Sequence, residues 1–309
     1  MKKLVFSAFC CILLGLTASA ATKQYSRNLA PFSGISVSDK FDVSLVRGSE
    51  YRALLSVEEA YIDYVVCAVN GSVLEVSLDE RKVPSEVKRQ FRSKGTADPV
   101  FSAVIYVPDL LQSVELKDKA VLHDTEDLFD KSRVSFVLSG NSQVKALTLS
   151  SLSLKIKMQN KATGDFMFTG GECIVDMSNS SSLRIVERES TLSRYTLQGT
   201  TKVDARCTTQ TLDIQTKGNC YMSVSGSGDK AVFNINGTSE VDASAFEVPD
   251  AVVSMSSVCR LSEAAYKTLR VNLNGGSTLF FAGEPAVTIE NIRSATMTRI
   301  SSGNTTTSL

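Results

Sequence analysis

The chain of 309 residues contains no tryptophan and one histidine, His123. A lone histidine cannot build a multi-histidine metal centre, and it leaves no spare base for a conventional nucleophile triad. Its ordinary reading is a residue between two turns of chain. With tryptophan absent and tyrosines scattered, no stacked aromatic platform for sugars stands out, although Tyr195, Tyr221 and Tyr266 could each contribute singly. No C-x-x-C pair occurs, which argues against a zinc or redox motif. Gly226-Ser-Gly228 lacks the strand-to-helix elbow pattern of serine hydrolases. An excess of one charge is also missing, with 33 basic and 33 acidic residues. Nucleic-acid binding wants a concentrated basic surface, so that partner is excluded.

Long apolar runs are confined to the start. Lys2-Lys3, an apolar stretch from Leu4 to Leu16 and the small residues Ala18-Ser-Ala20 form a secretory signal peptide over 1–20, so the mature chain is expected to begin near Ala21. Cys10 and Cys11 lie too early in the apolar stretch for a lipoprotein site, and bulky Phe9 precedes them. No later run approaches the roughly 18 apolar residues of a spanning helix. Cleavage removes two lysines and leaves 31 basic against 33 acidic residues, a balance of minus two. The expected location is therefore outside the cytoplasm: periplasm, outer surface or secreted.

What the chain does have is an internal repeat. Gly199, Gly218, Gly237 and Gly275 are spaced by 19, 19 and twice 19 residues, within Leu197-Gln-Gly-Thr-Thr-Lys-Val203, Thr216-Lys-Gly-Asn-Cys-Tyr-Met222, Ile235-Asn-Gly-Thr-Ser-Glu-Val241 and Leu273-Asn-Gly-Gly-Ser-Thr-Leu279. Each unit alternates apolar and polar residues with period two around a Gly/Asn bend. A period near 20 with this pattern predicts an all-β solenoid of strand-bend-strand coils, a parallel β-helix. Gly140 and Asn179 extend the series upstream, Leu154 to Phe168 forms a shifted coil, and Val114 to Leu122 reads as the first. Near 256 serine replaces glycine and the alternation slips. Eight or nine coils over 110–283 would stack to about 40 Å at a ladder spacing of about 4.8 Å. Val203, Met222, Val241 and Leu279 are the inward column, and the Ser/Thr/Asn residues beside the bends are expected to form structural ladders.

Five cysteines follow the signal segment: Cys67, Cys173, Cys207, Cys220 and Cys259. The number is odd, so at least one is free. Cys220, Ser239 and Cys259 fall in one column, which sets the two thiols two coils apart, about 9.6 Å and beyond disulfide reach. Buried thiols are expected, not a disulfide framework.

Residues 32–109 are less regular and are expected to form a strand-rich N-terminal cap, after a short segment at 21–31. Phe41 to Val46 and Tyr51 to Val57 alternate as strands, Glu58 to Val65 suggests a short helix, and Asn70-Gly71 carries a hairpin signal. A charged excursion at 79–98 contains Arg81, Lys82, Lys88, Arg89, Arg92 and Lys94, offset by Glu80 and Glu86. Val87 and Phe91 give it a weakly amphipathic helical pattern. After the coils of 110–285, residues 286–309 read as a strand and a polar tail.

The order Phe32-x-Gly-Ile-x-Val37, Gly48-x-x-Tyr51, Asn70-Gly71-x-x-Leu74-x-Val76, Val107-Pro108-x-Leu110, glycine-punctuated coils and Phe280-Phe-Ala-Gly-Glu-Pro285 resembles the head GIN domain of putative auto-transporter adhesins. That resemblance covers roughly 32–285. It implies a right-handed parallel β-helix of the kind found mainly in Bacteroidetes envelopes, without an established activity. The family pattern consists of bend and core positions, so it transfers no functional residue. The excursion at 79–98 departs from it.

The resulting expectation is an exported, non-enzymatic β-helix that binds polysaccharide or protein at the envelope, with no catalytic, cofactor or metal residues. The competing class is a carbohydrate-active β-helix lyase or hydrolase, which needs clustered carboxylates or a basic residue on one outward face. The best cluster is Asp204 and Asp242, two coils apart with Ser223 between them and Lys202, Arg206 and Glu240 alongside. Solvated outer-face charges account for it better.

Overall fold

The computed structural model describes residues 22–91, 98–123 and 127–300. The expected signal peptide, the polar tail at 301–309 and part of the charged excursion lie outside the described residues. In chain order the elements are β1 (Thr22–Asn28), β2 (Gly34–Val37), β3 (Asp42–Arg47), β4 (Arg52–Glu58), a 3-10 helix (Glu59–Tyr64), β5 (Val65–Asn70), β6 (Val73–Leu78), α1 (Ser85–Gln90), β7 (Phe101–Val107), β8 (Ser113–Leu116), β9 (Val121–Leu122) and β10 (Val134–Leu138). Seven long strands follow: β11 (Gln143–Met158), β12 (Thr163–Met177), β13 (Ser182–Gly199), β14 (Lys202–Gly218), β15 (Tyr221–Gly237), β16 (Glu240–Ser257) and β17 (Arg260–Asn274). The chain closes with β18 (Thr278–Ala282), β19 (Ala286–Arg293) and β20 (Thr296–Ile300).

These strands form a parallel β-solenoid of about ten coils. Each long strand begins on one face, turns a corner and finishes on the other, so both of its halves pair in parallel with the coils before and after. Two facing sheets result. The first runs β5-β6-β2-β8-β10, then through the second halves of β11 to β17, to β19. The second runs β1-β4-β7-β3-β9, then through the first halves of β11 to β17, to β18 and β20.

The bend between the faces repeats as a column of positive-φ residues: Asp39, Asp118, Gly140, Asn160, Asn179, Gly199, Gly218, Gly237, Ser257, Gly275 and Ser294. Backbones stack closely here, with Asn219 N–H donating to Gly199 O at 2.7 Å and Thr238 N–H to Gly218 O at 2.7 Å. At Gly237, where φ is 86°, a Cβ would sit 2.3 Å from the Gly218 carbonyl oxygen. Glycine is therefore required there by space as well as by φ. At the other bends Asp, Asn or Ser takes the positive-φ position.

Period-two alternation sends one parity inward. Leu183, Val203, Met222, Val241, Leu261 and Leu279 are in register and buried. This is the expected inward column, with Leu261 filling the place between Val241 and Leu279 and Leu183 extending it one coil upstream. Phe129, Phe136 and Phe166 meet in the core at centroid spacings of 5.4 and 5.1 Å, the first pair tilted and the second edge to face. Each such side chain contributes about 1.5–3 kcal/mol over exposure.

The five described cysteines are free and buried, and Cys220, Ser239 and Cys259 share a column as expected. Their shared position has a reason. Ser239 Oγ donates to Asn236 O at 3.0 Å, Cys220 Sγ approaches Lys217 O at 3.7 Å and Cys259 Sγ approaches Ser256 O at 3.4 Å. Hydroxyl and thiol alike reach the carbonyl three residues back, closing the bend from inside.

The start of the solenoid differs from the sequence expectation. Val114 to Leu122 is not the first coil, because β2/β3 and β6/β7 already form parallel coils outside it. They are also stacked out of chain order: the β2/β3 coil lies between the β6/β7 coil and the β8/β9 coil. Partners such as Ser36 and Glu115 stand 79 residues apart, so no fixed period marks them. Capping falls to the antiparallel strands β1, β4 and β5. The Asn70-Gly71 hairpin joins β5 to β6, with Gly71 at φ 62°, and the helix suggested at 58–65 is the 3-10 helix.

Candidate functional site

Beside the N-terminal coils the described part of the charged excursion, residues 79–91, leaves the solenoid and packs against it. Its helix, α1, has six residues and follows Pro84, which sits in extended geometry with no side-chain cap. Such a helix is too short to stand alone. Apolar contacts hold it: Val83 is buried, Val87 and Phe91 pack on the core, and the Phe91 and Tyr61 rings lie 5.5 Å apart. Tyr61 in turn meets Phe101 edge to face at 5.2 Å.

Between this excursion and the first coils lies a cleft of about 910 Å³. Tyr61, Val66, Val83, Phe91 and Phe101 supply its apolar lining. Charged groups of both signs line the remainder: Asp39, Glu80 and Asp118 against Lys40, Lys88 and Lys119. That volume lies in the range of small-molecule and peptide-segment sites.

The acidic wall starts from the bend column. Asp39 stands at φ 61°, and its Oδ2 accepts from Leu78 N–H at 2.7 Å and Ser38 Oγ at 3.0 Å. Burial raises its pKa against those two hydrogen bonds, and the charges of Glu80 and Asp118 add to the rise. Asp39 thus ties the coil edge to the root of the excursion. Opposite, Lys88 Nζ donates to Glu80 O at 2.6 Å, and Asp79 pairs with Lys82 at 2.8 Å, where the Lys82 hydrogen bond lowers the Asp79 pKa. Arg81 and Lys119 complete the basic lining.

The other sequence candidates do not converge. Asp204, Ser223 and Asp242 are in register on successive coils of the second sheet, as expected. Asp242 accepts from Ser244 Oγ at 2.6 Å and Ser244 N–H at 3.1 Å. One coil before Asp204, Arg184 pairs with Asp165, and Glu240 lies 3.9 Å from Arg260. The face is a lattice of solvated charges. His123 Nε2 lies 2.8 Å from the Asp42 carboxylate on the neighbouring coil, a contact between half-exposed groups. Tyr221 and Tyr266 are exposed, but Tyr195 is fully buried and offers sugars nothing.

Tyr195 belongs instead to a polar cluster that sequence reading missed. Glu187 is buried inside the solenoid, where it accepts from Ser193 Oγ at 2.6 Å, from Ser190 Oγ at 3.3 Å and from Tyr195 OH. Burial raises its pKa above the ordinary carboxylate value despite those donors. Its parity gave the signal: Leu183, Ile185 and Glu187 share the inward face. The group is sealed and makes no substrate site. Among the described residues no three of His, Cys, Asp and Glu come together as a metal site, and no helix is long and apolar enough to cross a membrane.

A search of the curated proteins finds no relative. Similar solved structures include a putative lipid binding protein from Parabacteroides distasonis ATCC 8503, with 13% identity, 90% of this chain and 96% of that chain covered, and a TM-score of 0.48. A putative adhesin from Parabacteroides merdae ATCC 43184 gives the same identity, coverage and TM-score. A putative cell adhesion protein from Clostridium sporogenes ATCC 15579 is 9% identical, covers 64% of this chain and 100% of that chain, and has a TM-score of 0.25. The family model described as "Putative auto-transporter adhesin, head GIN domain" matches residues 31–285, a span that takes in the cleft, the excursion and the coils through β18. The chain belongs to the head GIN domain family of putative auto-transporter adhesins.

Proposed function

We propose that this chain is an exported, non-enzymatic binding module of the cell envelope that recognises polysaccharide or protein through the cleft beneath the charged excursion. One observation carries the reading. A concave site with an aromatic lining and walls of both charges sits on a rigid stack whose outer face otherwise holds neighbouring charges in mutual contact. Binding sites placed on loops over rigid scaffolds are the general pattern. The N-terminal segment at 1–20 supports export through its charge, apolar stretch and small-residue site.

The test has two arms. In the first, intact cells are treated with protease: digestion supports an external location, and full protection points to the periplasm. In the second, purified protein is applied to glycan arrays and to matrix proteins, alongside Arg81→Glu and Lys88→Glu. Loss of binding with an unchanged melting curve supports the cleft. Retained binding in both variants removes it from the reading. Depolymerisation of a polysaccharide that disappears in the Asp204→Asn, Asp242→Asn double variant would show an enzyme instead.

A further inference from the structure

The two ends of the solenoid are finished differently. At the N-terminal end the inward residues of the outermost coil, Leu74, Val76, Ala103 and Ile105, remain buried. The antiparallel strands β5 and β4 pair with the outer edges of that coil, and β1 pairs beyond β4. The outermost strand, Thr-Lys-Gln-Tyr-Ser-Arg-Asn, is polar and carries two positive charges, a feature that blunts edge-to-edge association.

At the C-terminal end nothing among the described residues plays that part. β19 pairs with β17 on one edge and β20 with β18 on one edge. Val287 and Ile289 continue the inward positions of Leu269 and Val271, and Ile292 continues that of Leu273. Those three leucine and valine positions are 0% exposed, whereas Val287, Ile289 and Ile292 are 39%, 58% and 40% exposed. Met297 continues the Leu279 position on the other sheet. Among the described residues the solenoid core therefore opens to water here, flanked by two strand edges that pair with nothing.

We propose that this end is an interface between two copies of the chain, joined last coil to last coil about a two-fold axis along the sheet normal. Such an axis lays β19 antiparallel to its counterpart and β20 antiparallel to its counterpart, so both sheets continue across the joint. It also sets Val287, Ile289, Ile292 and Met297 against the same residues of the second copy. Charge permits the contact. Around the last coil Glu284 pairs with Arg299 at 2.7 Å and Glu290 lies 3.6 Å from Arg270. The coil from 284 to 300 carries two acids and two bases, Glu284, Glu290, Arg293 and Arg299, so two copies meet without net repulsion. A head-to-tail arrangement is disfavoured because the opposite end is already closed and basic. The contact is self-complementary and closes at two copies. The eight residues of β19, at about 3.3 Å each across sheets about 10 Å apart, give the end of the coil a cross-section of about 260 Å² on each copy. That is small for a specific interface, so the association expected is weak and reversible.

Sedimentation of the purified full chain from about 1 to 200 µM tests this, in a range that brackets micromolar dissociation constants. A reversible monomer-dimer equilibrium is expected. Ile289→Lys should weaken it at least about tenfold, as for a central apolar contact of an interface, without lowering the melting temperature. Gln24→Lys at the opposite end should leave it unchanged. Should Ile289→Lys fail to fold, the milder pair Val287→Ser, Ile289→Ser takes its place. Monomer at every concentration, an open-ended series of oligomers, or a dimer undisturbed by the β19 variants would overturn the proposal.

Discussion

Replacing Glu263 with Gln should make the protein more resistant to alkaline conditions, because this carboxyl is held inside the coil at a cost that appears only when it ionises. Glu263 lies on the inward parity of β17 between Leu261 and Ala265 and is 1% exposed. Its Oε2 accepts from Ala265 N–H at 2.7 Å, while Oε1 has no partner among the described residues. Burial raises its pKa from 4.5 to about 7, and the Ala265 N–H only partly opposes the rise. The sign follows from linkage. An acid whose folded pKa lies above its unfolded value binds more protons in the native state between the two, so stability is full below about 4.5 and falls as pH rises through about 7. At 1.36 kcal/mol per unit, the loss between pH 5 and pH 8 from this one group is about 2.5 kcal/mol. Urea unfolding of wild type and Glu263→Gln at both pH values measures it. Glu187, Glu58 and Asp39 also have raised values, but they are common to both proteins and cancel in the comparison. Parallel pH profiles for the two proteins would refute the reasoning, since the amide cannot ionise.

Other positions give sharper contrasts. Gly237→Val should lower stability by about 2–4 kcal/mol, because it adds backbone strain to a clash with the preceding coil at Gly218, while Glu240→Val on the exposed face should change it by less than about 0.5 kcal/mol; similar urea midpoints for the two would show the bend column is misread. Ellman titration should find Cys67, Cys173, Cys207, Cys220 and Cys259 unreactive in the native protein and free once denatured without reductant, and recovery of one thiol would contradict the buried, unpaired arrangement. Asp204→Asn with Asp242→Asn should leave the melting curve within about 0.5 kcal/mol of wild type, because both acids lie on the solvated face, and a large loss would mean the pair holds the coils together.

From Gly140 to Gly275 the repeat could be read from sequence because each coil pairs with the next one in the chain, so stacking imposes a constant interval on the bends. The same physics hid the first coils. Where the β2/β3 coil is stacked between segments far away in sequence, the ladder still forms but no interval repeats, and only local alternation remains. The cleft was harder still. Its residues come from the bend column, the hairpin strands and the excursion, three stretches with no common pattern, and sequence marks only the excursion by its charge. The interior acids are a different matter, for alternation alone places Glu187 and Glu263 inside. A charged residue on the inward parity of a coil has no solvent to face, so it must find donors or carry a proton. Glu187 finds three hydroxyl groups, whereas Glu263 finds one backbone N–H and must hold a proton to stay neutral. In a stack with period-two strands, then, the polar residues most worth attention are those that break the inward alternation, and counting parity from each bend finds them before any coordinates do.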